Sequence, residues 1–388
     1  MPIDVLLYSD SGAGGGAERW LVTVARHLVR AGFGVVVAHP FDGPHLPERL
    51  AGIGVTSVTR GFERLAEDGE HAPGLIEHAE PSAIFAALKP KIVLFSDATP
   101  VANIAAKEAA HGANLPYISV AHLGGVHPGV RLDGLQQRLH NVYANATSVI
   151  GVSSHTVTQL RRFSCHPLPT ALTVFNGIDD IFFDGNFDRS GVRSRLGFSD
   201  SEIVGVSVGR VDSHKGFAIL SNAMARVVST ISLRWLWVGG GPGLTRARAS
   251  TALQGGHLQL LGERDDVASI LNAADLFALP TYRDSFCLAA VEAMASGLAV
   301  AVSDVDGISE VTGQVAHLLS DPNVDATRTT QQLIEIITRW SVDATARKEL
   351  GEQGRARAET EFRESRMGAK YVDLVHAAIR TTEGGVRT

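Results

Sequence analysis

The sequence predicts an α/β protein built from two doubly wound parallel sheets, and three observations carry that expectation. Short apolar runs alternate with helical patterns along the chain, the mark of successive β-α-β units. The alternation restarts near the middle, giving two runs of similar size. At 388 residues, the chain is long enough to bury two cores.

The elements follow in order. In the first half, residues 5–8, 35–38, 92–95, 117–121 and 149–152 are short apolar runs that read as buried strands. Residues 17–31 have helical periodicity and stop at Gly32, a residue suited to the position just past a helix end. In the second half the strand readings are 203–208, 234–238, 258–261, 276–279 and 299–302, with helices near 216–228, 268–274 and 288–295. The join is expected within 176–188, rich in Asn, Gly and Asp, so the domains are read as 1–178 and 179–365. Residues 343–380 are charged, alanine-rich and helical in pattern.

Composition bounds the function. Apolar residues make up 45% and charged residues 20%, ordinary for a globular protein. A net charge of -6 argues against nucleic acid as a partner, because phosphate backbones demand a basic footprint. Two cysteines, Cys165 and Cys287, are too few for a disulfide framework. No apolar run is long enough for a membrane span. The first eight residues read as a buried strand rather than a signal peptide, so the expected location is the cytoplasm.

Open parallel sheets bind ligands outside the carboxyl ends of their strands, and three post-strand loops carry chemistry. The first is Ser11-Gly12-Ala13-Gly14-Gly15-Gly16-Ala17-Glu18-Arg19. Glycines such as Gly15 and Gly16 let backbone N–H groups approach a phosphate or a sugar at a helix start; a plain tight turn is the alternative. A dinucleotide site would want an acidic residue ending the second strand, where Ala38-His39-Pro40 stands instead. The second loop, Val208-Gly209-Arg210-Val211-Asp212-Ser213-His214-Lys215-Gly216, offers two cations five positions apart. A rigid guanidinium fork and a movable ammonium suit a diphosphate, although a solvated charged loop would look the same. The third runs from Pro280 to Gly297 and presents Asp284 before a short helix that starts near Phe286, with Glu292 about one turn inside. Carboxylates flanking a helix N-terminus would take sugar hydroxyls on either side of a bound phosphate. Helix capping is the bland role for Asp284.

These pieces together resemble the family 4 glycosyltransferases. The resemblance also rests on Val174-Phe175-Asn176-Gly177-Ile178-Asp179, Val238-Gly239-Gly240-Gly241-Pro242, Leu261-Gly262, Ala273-Ala274-Asp275 and Gly307-Ile308-Ser309-Glu310. It implies the GT-B fold, in which two Rossmann-like domains with parallel sheets face each other across a cleft, and a C-terminal helix at about 366–388 that returns to the first domain. It implies a retaining, metal-independent transfer of a hexose or N-acetylhexosamine from a nucleotide sugar, a UDP-sugar foremost. The nucleotide sugar is a substrate, and no cofactor is expected.

The resemblance also implies site roles. Arg210 and Lys215 match the pair that grips the donor diphosphate, beside Gly209. Glu292 matches the carboxylate on the ribose, and Asp284 stands where the family has glutamate facing the donor sugar. Phe286, Cys287 and Leu288 match the segment whose backbone meets the diphosphate, although the usual Gly-Phe-Gly is here Ser285-Phe286-Cys287. His122 matches the family histidine near the reacting sugar. Asp304-Val305-Asp306 has the spacing of a metal-binding Asp-x-Asp but falls where the family has an ordinary loop, and Cys287 reads as packing. The acceptor, a small molecule or a saccharide, is expected on loops near 97–99, 122–131 and 60–69. Basic and acidic residues nearly balance over residues 1–178, which favours a soluble acceptor over a membrane lipid. The alternatives are a nucleotide-sugar 2-epimerase of the same fold and a two-domain sugar-binding protein without catalysis.

Overall fold

The computed structural model describes residues 2–9, 15–40, 46–60, 78–126, 135–164, 168, 171–228, 232–251 and 256–384. The chain forms two compact units, Met1–Gly177 with Glu364–Thr388, and Ile178–Arg363. In chain order the elements are β1 (Val5–Ser9), α1 (Gly16–Arg30), β2 (Val35–Pro40), α2 (Leu46–Ala51), β3 (Thr56–Arg60), α3 (Ala79–Leu88), β4 (Ile92–Asp97), α4 (Ile104–Gly112), β5 (Tyr117–Ala121), α5 (Leu135–Ala144), β6 (Ser148–Gly151), α6 (Ser154–Ser164) and β7 (Ala171–Thr173). The second unit adds α7 (Ile181–Asp184), α8 (Arg189–Arg195), β8 (Ile203–Val208), α9 (Phe217–Val227), β9 (Leu233–Val238), α10 (Leu244–Thr251), β10 (Leu258–Gly262), α11 (Val267–Ala273), β11 (Leu276–Leu279), α12 (Leu288–Ala295), β12 (Ala299–Ser303), α13 (Ile308–Thr312), β13 (His317–Leu319), α14 (Pro322–Val342) and α15 (Ala344–Glu361). The last helix, α16 (Glu364–Gly384), belongs to the first unit.

The first unit's sheet has seven strands in the order β3-β2-β1-β4-β5-β6-β7, all paired in parallel. Successive side chains of β1 serve opposite faces, as the twofold strand period requires. Val5 and Leu7 enter a core shared with α1 and α16, where Trp20, Leu21, Met367, Tyr371 and Val375 pack. Leu6 and Tyr8 enter a second core with Phe95, Ile104, Tyr117 and Leu139. The second unit's sheet has six strands in the order β10-β9-β8-β11-β12-β13. Asp275, which precedes β11, ties α8 to that sheet by accepting bonds from Arg189 Nη2 at 2.7 Å, Arg193 Nη1 at 3.3 Å and the Val204 N–H at 2.8 Å.

The structure adds β3, β7 and β13 to the strands expected from sequence. All three are sheet edges, where one side lacks a neighbour and apolar runs are short. The helical stretch 343–380 is broken at Phe362 and Arg363. Its first part, α15, packs on α12 and β12, and its second part, α16, packs on α1.

The carboxyl end of β4 holds a buried polar network. Lys107 Nζ donates to Asp97 Oδ2 at 2.7 Å, and both side chains are fully buried. Asn103 Nδ2 donates to Asp97 Oδ1 at 2.9 Å and Ser119 Oγ to Oδ2 at 2.5 Å. Arg60, 3% exposed, donates to Ser9 O and Asn103 Oδ1. Removing one partner of a buried ion pair leaves the other charge uncompensated. Lys107→Ala should therefore lower unfolding free energy by about 3–5 kcal/mol, read by urea denaturation. A loss below about 1 kcal/mol, the worth of a surface pair, would show that the pair is not held dry.

Candidate active site

In the second unit, the loop after β8 is folded around Asp212. Its Oδ1 accepts the His214 and Lys215 N–H groups at 2.9 and 3.1 Å, the local turn that a short carboxylate favours. Its Oδ2 lies 2.8 Å from Nη2 of Arg210, whose side chain is 56% exposed. The loop is pressed onto the end of β11. His214 O accepts from the Tyr282 N–H at 2.7 Å and from Thr281 Oγ1 at 2.9 Å. Gly216 has φ 71°, and a Cβ there would lie 1.8 Å from Pro280 O, so only glycine fits. Gly209 is fixed by its N–H to Val238 O at 2.9 Å and by Trp237 Nε1 donating to its carbonyl at 2.8 Å.

Lys215 reaches from this loop to the next one. Its Nζ donates to Asp284 Oδ2 at 2.6 Å. Asp284 Oδ1 accepts the Phe286 and Cys287 N–H groups at 3.2 and 2.7 Å, and the Asp284 N–H donates to Asp306 Oδ2 at 3.0 Å. Both Asp284 oxygens are thus held by protein groups, so a contact with a sugar requires giving one up. Burial alone would lower the pKa of Lys215, but the carboxylate of Asp284 outweighs it and holds the ammonium above its ordinary value. Burial would likewise raise Asp284, and Lys215 with the two N–H groups holds it below the usual carboxylate range.

The helix that follows, α12, runs over Leu288–Ala295 as its helical pattern predicts, two residues past the Phe286 at which the loop reading began it, and Asp284 binds the turn before it. The N–H groups of Phe286 and Cys287 are therefore already bonded. The Leu288 and Ala289 N–H groups have no partner among the described residues, leaving them with the positive end of the helix dipole for an anion. Glu292, 2% exposed, lies one turn inside. Cys287 has φ 58°, a left-handed conformation that explains why glycine is usual here. Its thiol is 1% exposed and is pushed well above its ordinary pKa by burial and by Asp284, which is the profile of a packing residue. The side chain of Phe286 is also in the core, edge-on to Phe362 at 5.5 Å.

In the first unit, Gly15 (φ 127°) sits at the N-cap of α1 and Gly16 is the first helical residue. Residues 11–14 of that loop lie outside the described residues. His122 extends β5 by one rung, its N–H donating to Asp97 O at 2.9 Å. Its Nε2 is 3.0 Å from Ser96 Oγ, and the indole of Trp20 meets its ring edge-on at 5.3 Å. Burial lowers the His122 pKa to about 4, so the ring is neutral at pH 7. Of the loops expected to take an acceptor, Asp97 turns its carboxylate inward to Lys107, and residues 61–69 and 127–131 lie outside the described residues.

The structure thus brings Gly209, Arg210, Lys215, Asp284, Phe286, Cys287, Leu288 and Glu292 together in one unit. Gly15, Gly16 and His122 belong to the other. Sequence reasoning missed the parts played by Asp212, Asp306, Ser96 and Trp20. Asp212 alone left a signal, an aspartate that opens a turn ended four residues later by Gly216. Asp306 Oδ2 is engaged by the Asp284 N–H, with Arg283 Nε 4.0 Å away. Among the described residues no group of three His, Cys, Asp or Glu side chains is placed to hold a metal.

Two α/β units with cationic and N–H donors at strand ends define a protein of the GT-B class, and comparison agrees. Residues 14–180 match the model of Glycosyltransferase Family 4, and residues 202–339 match that of Glycosyl transferases group 1. The teichuronic acid biosynthesis glycosyltransferase TuaC of Bacillus subtilis is 30% identical over 285 residues, 69% of this chain and 68% of that one. The N-acetyl-alpha-D-glucosaminyl L-malate synthase of Bacillus anthracis is 26% identical over 249 residues, 62% of each. The crystal structure of Anabaena HepE with UDP and glucose superposes with a TM-score of 0.80 at 20% identity, covering 97% of this chain and 100% of that one. The chain belongs to glycosyltransferase family 4, and it is a glycosyltransferase.

The ion pair makes a pH prediction. Burial lowers the pKa of Lys215 and Asp284 is the foremost group that raises it, so without Asp284 the ammonium loses its proton at lower pH than in the wild type. Asp284→Ala should therefore move the alkaline limb of the kcat profile to lower pH. An alkaline limb at the wild-type position would show that the Lys215 charge does not depend on Asp284.

Proposed function

We propose that the protein is a retaining, metal-independent glycosyltransferase acting in the cytoplasm. It moves a hexose or N-acetylhexosamine from a nucleotide-sugar donor, a UDP-sugar foremost, to a hydroxyl of a small-molecule or glycan acceptor. The observation that carries this reading is the Lys215–Asp284 pair, which joins the loop after β8, where Arg210 also stands, to the loop that leads into the unengaged Leu288 and Ala289 N–H groups of α12, with Glu292 one turn behind. The HepE complexes with UDP and glucose and with UDP-glucose support the choice of nucleotide.

On this reading the donor diphosphate lies at the N-terminus of α12. Leu288 and Ala289 donate backbone N–H bonds, Arg210 and Lys215 supply charge, and Glu292 takes the ribose hydroxyls. The bond between the anomeric carbon and the diphosphate oxygen breaks as the acceptor hydroxyl attacks on the same face. The departing phosphate oxygen takes the hydroxyl proton. Negative charge grows on the leaving group throughout, and preorganised donors aimed at growing charge are where catalysis gains most.

Two measurements test the reading. Lys215→Ala should keep measurable UDP binding by calorimetry while losing about 10²–10³ in kcat, because the interaction strengthens only as charge develops. A change confined to KM would reduce Lys215 to a binding group. Turnover of a UDP-sugar should also persist in EDTA; loss that magnesium or manganese restores would overturn the metal-independent mechanism.

A further inference from the structure

Three neighbouring strands of the second unit, β8, β11 and β12, end in loops that lean on one another. The first two loops are joined by Lys215 and Asp284. The third joins them through Asp306. The turn after β12 is tight: the Asp304 N–H donates to Leu319 O at 2.9 Å, the Val305 N–H to Ser303 O at 3.1 Å and the Gly307 N–H to Val305 O at 2.7 Å. Val305 before Asp306 and Ile308 after it are buried, so the turn is anchored on both sides. Between them Asp306 has φ 52°, a left-handed conformation that aspartate tolerates better than most residues but still at a cost.

What this turn presents is a carboxylate. Asp306 Oδ2 accepts the Asp284 N–H at 3.0 Å, and Arg283 Nε lies 4.0 Å from the same oxygen. The bonds from the Phe286 and Cys287 N–H groups to Asp284 Oδ1 are local; they shape the loop after β11 but travel with it. Bonds to the neighbouring strand ends are what place that loop. Toward β8, Thr281 Oγ1 and the Tyr282 N–H both donate to His214 O. Toward β12, the Asp284 N–H donates to Asp306. Lys215 draws the Asp284 side chain toward β8 while Asp306 holds its backbone from the β12 side. A hydrogen bond to an ionised acceptor is stronger than a neutral one, and here it fixes the main chain from which the Asp284 carboxylate projects.

We propose that Asp306 is a positioning residue: by holding the Asp284 N–H it keeps the Asp284 carboxylate against Lys215, and so keeps the ammonium where the departing diphosphate needs it. This rests on the part given to Lys215 in the proposed function. Asp306 acts through Asp284, and what it supplies is an acceptor oxygen in a fixed place rather than a charge. The spacing that looks like a metal-binding Asp-x-Asp thus presents a hydrogen-bond acceptor to a neighbouring loop. A misplacement of about 1 Å arising away from the chemistry can cost about 10²-fold in rate. Loosening one of the supports of Asp284 is a smaller disturbance of the same kind.

Two substitutions separate the oxygen from the charge. Asp306→Asn keeps a carbonyl oxygen and tolerates the left-handed backbone; Asp306→Gly keeps that backbone without strain and removes the oxygen. The readouts are hydrogen exchange of the Asp284 amide by ¹H–¹⁵N NMR and kcat for release of UDP from UDP-glucose. Asp306→Gly should speed that exchange about tenfold. It should lower kcat by about tenfold, with KM for UDP-glucose little changed. Asp306→Asn should keep both near their wild-type values. A double-mutant cycle shows what Asp306 acts through: added to Lys215→Ala, Asp306→Gly should cost no further kcat, because members of one network do not add. Unchanged kcat in Asp306→Gly would overturn the proposal. So would an equal loss in Asp306→Asn, or a full further loss on top of Lys215→Ala, the mark of a general structural defect. Wild-type kcat in Lys215→Ala, with Asp306 intact, would instead remove Lys215 from the proposed function and with it the catalytic half of this inference.

Discussion

The arrangement of the second unit's loops depends on one ion pair, Lys215 with Asp284 at 2.6 Å. Lys215 comes from the loop after β8 and Asp284 from the loop after β11, and those strands are neighbours in the sheet. The pair therefore stitches two strand ends together above the sheet. Each partner is also fixed by its own loop: the Lys215 N–H by Asp212, and the Asp284 carboxylate by the N–H groups of Phe286 and Cys287. A charge held in this way has little rotamer freedom left to lose on binding a ligand. The same bonds set where α12 begins, and hence which two N–H groups remain for an anion.

The first unit uses buried polarity in a different manner. There the Asp97–Lys107 pair is sealed at a strand end, and Asn103 and Ser119 complete the bonding of the carboxylate. No side-chain atom of that pair reaches solvent, so it shapes the β4 terminus. It thereby fixes Ser96 beside it and, through the Asp97 carbonyl, His122. Trp20 links this corner to α16, which packs beside α1 in the same core. The last helix of the chain thus contributes to the surroundings of His122 although it lies about 250 residues away in sequence.

Much of the fold was legible because its strands are buried on both faces and read as continuous apolar runs. Residues 117–121, 203–208 and 276–279 match the observed strands residue for residue. The edge strands β3, β7 and β13 were not legible, since a strand with one open side needs few apolar residues. Of the site, the residue types and their loops could be read, because cations and glycines after strands have few structural uses in that pattern. Their partners could not. Nothing local marks Asp306 as the acceptor for the Asp284 N–H from 22 positions away. Ser96 likewise looks like any strand serine until β5 brings His122 beside it.

The pairing of charges also bears on how the proposed chemistry would be driven. Arg210 stands 2.8 Å from Asp212 and Lys215 2.6 Å from Asp284, so each cation already has a carboxylate. An arriving diphosphate does not meet bare positive charge; it must share the cations with Asp212 and Asp284. Such sharing weakens the hold on a ground state whose charge is spread. As the sugar bond breaks, charge concentrates on the departing oxygen and the ligand becomes the stronger competitor for Lys215. The carboxylates then serve to moderate ground-state binding while keeping the ammonium protonated and in place. Cations whose attraction is partly spent at rest, and regained as the leaving group forms, favour the transition state over the substrate.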